Sequence, residues 1–197
     1  MKRSSRAAAI GFALFFAATL GLQGCTGVVV GAGATAGVAA YSDRGIEGAA
    51  KDLKIEASIL GSYLEKNQML PIKIGVEVYE GRALLTGIAE DEQMRADAVK
   101  LAWTASGIRE VLNEIQLVGG GAVNLAKDSW ITAQLKTQIT FNKDIMAVNY
   151  VVETVNGTVY LIGIAQSQVE LDRVLAHARE IDYVQNVISH VRIKGPS

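Results

Sequence analysis

A chain of 197 residues with a single cysteine can form no internal disulfide, and 19 Lys+Arg against 20 Asp+Glu give no basic field of the kind nucleic acid requires. Two histidines without His-x-x-x-His spacing offer little to a metal, and no Ser/His/Asp elbow or phosphate-loop signature is present, so neither cofactor nor catalytic site is expected. From the N-terminus, Lys2, Arg3 and Arg6 precede an uncharged run from Ala7 to Leu22. That is the charged and apolar order of a secretory signal, and the run is shorter than the roughly 20 residues a helix needs to span a bilayer. Without those three cations the charge is 16 against 20, a net −4.

The run ends in Leu22-Gln23-Gly24-Cys25. This resembles the lipobox of bacterial lipoproteins. The resemblance implies cleavage of residues 1–24 and acylation of Cys25, palmitate included, with Thr26 leaving outer-membrane sorting as the default. More than one acyl chain would anchor the protein firmly to the periplasmic face. Residues 25–45 follow, with Gly27, Gly31, Gly33 and Gly37 set among Val and Ala. They read as a tether, with a self-associating glycine-zipper helix as the rival reading.

The remainder is a tandem repeat. A shift of 76 residues aligns Asp52 with Asp128, Ile55 with Ile131, Ile59 with Leu135 and Val76 with Val152. Without a gap it also aligns Gly81 with Gly157, Leu85 to Ala89 with Leu161 to Ala165, and Val111 with Val187. Two copies of one small domain follow, residues 46–117 and 127–197, joined by a linker at 118–126 that contains Gly119-Gly120-Gly121.

In each copy an aspartate, Asp52 or Asp128, is expected to cap a first helix, whose apolar stripe is Ile55-Ile59-Tyr63 or Ile131-Leu135-Ile139. Alternation at Ile72, Ile74, Val76 and Val78, and at Val148, Tyr150, Val152 and Thr154, predicts half-buried strands. Glu80-Gly81 and Asn156-Gly157 predict tight hairpin turns into return strands ending at Ala89 and Ala165. A second helix is expected from about Glu90 to Ser106 and from about Gln166 to Asp182, and then a last strand through Val111 to Leu117 or Val187 to Ile193. The fold class is α+β: α-β-β-α-β, a three-stranded mixed sheet on two helices, twice over.

The hairpin ending in Leu85-Thr86-Gly87, the Ala-rich second helix and Gly107-Ile108-Arg109-Glu110-Val111-Leu112-Asn113 resemble the BON domain family. Copy two matches through Gly157, Leu161-Ile162-Gly163 and Asn186-Val187, and departs at Asp182-Tyr183 and Ser189. With the lipobox and tether, the set resembles dual-BON outer-membrane lipoproteins. That resemblance implies binding of anionic phospholipids such as phosphatidylglycerol and cardiolipin through the first helix of copy two, and a role in outer-membrane integrity. It leaves outer-membrane assembly or division proteins as candidate partners, and a chaperone-like module of the osmotically induced type as the alternative.

Copy one holds 8 basic and 12 acidic residues and copy two 7 and 7, so an anionic surface repels the second copy less. Trp130 stands where copy one has Lys54, beside Lys127 and off the core stripe. Trp130, Ile131, Gln134, Lys136 and Thr137 are therefore the expected lipid-contacting residues, unless the Trp130 ring folds onto its own core or the other copy. His177 and His190 read as solvated or structural.

Overall fold

The computed structural model describes residues 41–117 and 124–195; the signal, Cys25, most of the tether and the triglycine lie outside them. Copy one consists of α1 (Gly45–Lys66), a short α2 (Leu70–Lys73), β1 (Ile74–Tyr79), β2 (Arg82–Ala89), α3 (Glu92–Thr104), β3 (Glu110–Asn113) and β4 (Gln116–Leu117). Copy two consists of α4 (Leu125–Phe141), a 3-10 turn (Ala147–Asn149), β5 (Tyr150–Val155), β6 (Thr158–Ala165), α5 (Gln168–Glu180) and β7 (Asn186–Ile193). The central strand pairs antiparallel with its hairpin partner and parallel with the strand after the helix, as the crossover requires. In copy one that last strand is split, β3 and β4 both pairing with β2.

Three expectations shift. Ile72 is exposed in α2 and Val148 sits in the 3-10 turn, so the first strands begin at Ile74 and Tyr150. Asp52 and Asp128 are not caps. Both are buried inside helices that start earlier, at Gly45 and at Leu125 behind the Asn124 cap. Copy one also starts before residue 46, because Asp43 and Arg44 are bound into the fold. The Asp43 carboxylate accepts from Lys194 Nζ at 2.6 Å and Asn149 Nδ2 at 2.5 Å, and Arg44 Nη1 donates to Asp52 at 2.9 Å.

Each buried aspartate holds the hairpin turn. Asp52 accepts from the N–H groups of Glu80 and Gly81, both at 2.9 Å, and Asp128 from those of Asn156 and Gly157 at 2.7 and 2.9 Å. All four turn residues have positive φ, from 50° to 73°, the geometry of a type I′ hairpin. The Leu-x-Gly motif has an equally local cause. A Cβ on Gly87 would come 2.1 Å from Lys73 O, and one on Gly163 1.9 Å from Asn149 O, because the chain entering each first strand crosses the return strand there.

The apolar residues of each central strand serve two cores. Ala83 and Leu85, like Val159 and Leu161, face their own helices. Leu84, Tyr160 and Ile162 point the other way and meet, with Tyr79, in a third core between the copies. The molecule is thus four layers, with helices outside and two sheets stacked at the centre. The copies run head to tail: Arg82, at the start of β2, donates to His190 O near the end of β7 at 2.8 Å, and Gln116, at the far end, donates to Val155 O and Tyr160 Oη at 3.2 and 3.0 Å. The His190 and Glu114 side chains meet across the same seam at 2.8 Å.

Glu77 and Glu153, equivalent by the 76-residue shift, both lie on the seam side of their strands. Burial pushes the Glu77 carboxyl up to about 8, aided by Glu153 and Glu56, with Lys136 and Arg44 opposing. Burial raises Glu153 as well, against Lys136.

Removing either aspartate strands two backbone N–H groups. Asp128→Ala is expected to destabilise the chain by about 2–4 kcal/mol in urea unfolding; a loss under about 0.5 kcal/mol would show that water satisfies the turn. A carboxyl with a raised folded pKa binds its proton more tightly in the fold, so its contribution is complete below the ordinary carboxylate range and is lost as pH rises toward 8. Glu77→Gln should therefore flatten the fall in stability between pH 5 and pH 8 and exceed the parent by about 1 kcal/mol at pH 8, read as urea midpoints; parallel pH profiles would refute this.

Candidate lipid-facing site

Helix α4 sets the site. Ile131, Leu135 and Ile139 repeat at four-residue intervals and are buried against β5, β6 and α5. Ile131 is 0% exposed, so it belongs to the core and not to a lipid-contacting surface, which corrects the expectation for that residue. At 100° per residue, Trp130, Gln134 and Thr137 fall within about 60° of one another on the outer side of α4. Trp130 is 41% exposed, Gln134 is half-buried and Thr137 exposed, its hydroxyl returned to Ala133 O at 2.8 Å. Lys136 is exposed about 120° away on the opposite flank. Its charge opposes the upward shift of the Glu153 and Glu77 carboxyls, and on the helix it lies off the face that carries Trp130.

What Trp130 does meet is Tyr183, edge to face, with ring centroids 6.0 Å apart. Tyr183 is 61% exposed at φ 69°, between α5 and β7, and the Lys127 ammonium lies 4.4 Å from its ring centroid. A cation over an aromatic ring is favourable, and that contact fixes the tyrosine beside the helix. Two rings and an ammonium therefore stand together at the hairpin end of copy two, neither folded into the core nor against copy one. Sequence reasoning found Trp130 and Lys127 but not Tyr183. The available signal was the departure at Asp182-Tyr183, where copy one has Ser106-Gly107.

The histidines sit elsewhere. His177 exchanges hydrogen bonds with Asn142 at 3.0 Å and Gln138 at 3.1 Å, joining α5 to the end of α4, and His190 serves the seam. Among the described residues no cluster of three or more His, Cys, Asp or Glu is placed to hold a metal, and no helix is long and apolar enough to cross a membrane.

The family model for the BON domain matches residues 51–119 and again 127–195. The chain is 45% identical over 124 residues to an uncharacterised protein of the gshII 5′ region of Anaplasma centrale, covering 61% of this chain and 82% of that one. It is 31% identical over 160 residues to the outer membrane lipoprotein DolP of Haemophilus influenzae, covering 79% and 82%. Osmotically-inducible protein Y of Escherichia coli is 24% identical over 146 residues, 73% of each chain.

Proposed function

Because this chain belongs to the BON domain family and carries two copies of that domain, we propose that it is a non-enzymatic envelope lipoprotein of the DolP type. In this reading it is anchored through acylated Cys25 at the periplasmic face of the outer membrane, binds anionic phospholipid through copy two and supports outer-membrane integrity. The relative named as an outer membrane lipoprotein supports the location. The observation that carries the lipid reading is the exposed group of Trp130, Tyr183 and Lys127.

An indole and a phenol are amphipathic, settling at the boundary of headgroup and acyl chain, while the ammonium answers headgroup phosphate. Gln134 and Thr137 extend the same face along α4 with polar groups that hydrogen-bond headgroups. Nothing on this face is a large field of charge, and the attraction of each cation to an anionic surface is worth about 1 kcal/mol. Ring burial therefore supplies most of the affinity, and salt weakens binding without abolishing it.

The test uses residues 26–197, which lack the acyl anchor, in a Trp103→Phe background so that Trp130 is the sole tryptophan. Co-sedimentation with phosphatidylcholine vesicles carrying phosphatidylglycerol or cardiolipin is expected, with a blue-shifted emission, and Trp130→Glu should weaken it by about tenfold or more while circular dichroism is unchanged. Equal binding by Trp130→Glu, or equal binding to pure phosphatidylcholine, would overturn the reading. Capture of unfolded envelope proteins without lipid would instead favour the chaperone-like function of the osmotically inducible type.

A further inference from the structure

The repeat supplies its own comparison. In both copies a cleft lies between the start of the first helix, the hairpin turn and the loop that enters the last strand. In copy one it measures about 590 Å³ and in copy two about 300 Å³. The linings correspond position for position: Lys51 to Lys127, Asp52 to Asp128, Gly81 to Gly157 and Arg109 to Gln185. The main difference is Gly107, where copy two has Tyr183. In copy two the chain furnishes an aromatic ring at that point, under the Lys127 ammonium. In copy one the same place is open.

Of the two groups that hold the ring in copy two, Lys127 and Trp130, the open cleft keeps the cation. Lys51, the counterpart of Lys127, has Glu47 as its one ion-pair partner among the described residues, an exposed i,i+4 pair at 2.7 Å that is weak and easily exchanged. Ile55 supplies an apolar wall: a Cβ on Gly107 would lie 3.0 Å from its Cδ1. Copy one then adds charge that copy two lacks. Lys54 and Arg109 line the cleft and make no ion pair among the described residues, in place of Trp130 and Gln185. The carboxylates nearby are mostly spent: Asp52 on Arg44 and the turn, Asp43 on Lys194, leaving Glu80 at the rim. Arg44 Nε is buried at the same place and has no hydrogen-bond partner among the described residues.

We propose that the cleft of copy one binds an aromatic side chain with a carboxylate close by, the ring taking the place that Tyr183 fills in copy two and the carboxylate meeting Arg109 and Lys54. A chain-terminal aromatic residue of a protein has this chemistry, and so does a small aromatic acid. The site is in the other copy from the lipid-facing residues, so it stands or falls separately from them.

The test is NMR titration of residues 26–197 with the peptide Ala-Ala-Phe, its C-terminal amide, the peptide Ala-Ala-Ala and phenylacetate, following the amides of Gly81, Gly107 and Arg109 against those of Gly157 and Gln185. Saturable shifts confined to copy one are expected with Ala-Ala-Phe at millimolar concentration, about fivefold tighter than with the amide or with Ala-Ala-Ala. Arg109→Gln should remove that preference for the free carboxylate, and Gly107→Tyr should close the site. At position 107 a tyrosine carries backbone strain at φ 99° and presses on Ile55 Cδ1, 3.0 Å from the new Cβ; Tyr183 bears a like backbone at φ 69°, and circular dichroism checks that the variant folds. Tighter binding of Ala-Ala-Phe than of phenylacetate assigns the site to a protein chain end, and equal binding to a free aromatic acid. No saturable shift in copy one, or equal shifts in both copies, would overturn the proposal, whatever the outcome with vesicles.

Discussion

A buried aspartate that holds a two-residue turn is the constraint on which each copy is built. Asp52 and Asp128 sit on helices whose buried stripes, Ile55-Ile59-Tyr63 and Ile131-Leu135-Ile139, pack on the sheet. Each spends both carboxylate oxygens on the two N–H groups at the tip of a hairpin. The arrangement fixes three things together: the rotation of the helix, the register of the hairpin and the left-handed backbone of the turn. Glu80 illustrates the strength of the tie. A glutamate is a poor residue for positive φ, yet it holds φ 52° because its N–H has a charged acceptor at 2.9 Å.

Once the hairpins are fixed, the central strands present apolar side chains on both faces, and neither copy covers its outer sheet face alone. The copies satisfy one another through Tyr79, Leu84, Tyr160 and Ile162. Packing them head to tail sends the two hairpin ends in opposite directions. β6 alone is 8 residues long, about 25 Å, so the Tyr183 end of copy two and the open cleft of copy one stand at opposite ends of the molecule. Asp43, which receives Lys194, Asn149 and Gln166 from copy two, places the start of α1 at the cleft end. The described residues thus begin at the end of the fold away from Trp130.

The sequence was a good guide wherever a pattern has a local cause. Four-residue spacing marked the buried stripes of α1 and α4, Asn-Gly and Glu-Gly marked the turns, and the 76-residue shift marked the duplication. It was a poor guide where a side chain acts at a distance. Asp52 and Asp128 read as caps because an acidic residue ahead of an apolar stripe usually is one, and their true partners are 28 and 29 residues on. The seam was hidden for a similar reason. Val159-Tyr160-Leu161-Ile162 is apolar at every position, which is the mark of a strand buried on both faces, but one strand does not say what covers the second face. Ile131 was drawn into the lipid-facing set by lying next to Trp130 in sequence, and on a helix neighbours are about 100° apart.

The two copies have kept and changed different things, and the division follows the structure. The aspartates, the turn glycines and the motif glycines Gly87 and Gly163 are the same in both, because each is required by backbone geometry that any copy must satisfy. The exchanges Lys54 to Trp130, Gly107 to Tyr183 and Arg109 to Gln185 all fall at one place, the hairpin end. There a side chain can change without disturbing a core, since the turn is held from beneath by the aspartate and the layers are packed further along the strands. The same scaffold therefore presents two rings at one end of the molecule and, at the other, a cleft flanked by Lys54 and Arg109, which make no ion pair among the described residues. Head-to-tail stacking keeps the two surfaces apart, so that a molecule bound at one would leave the other free.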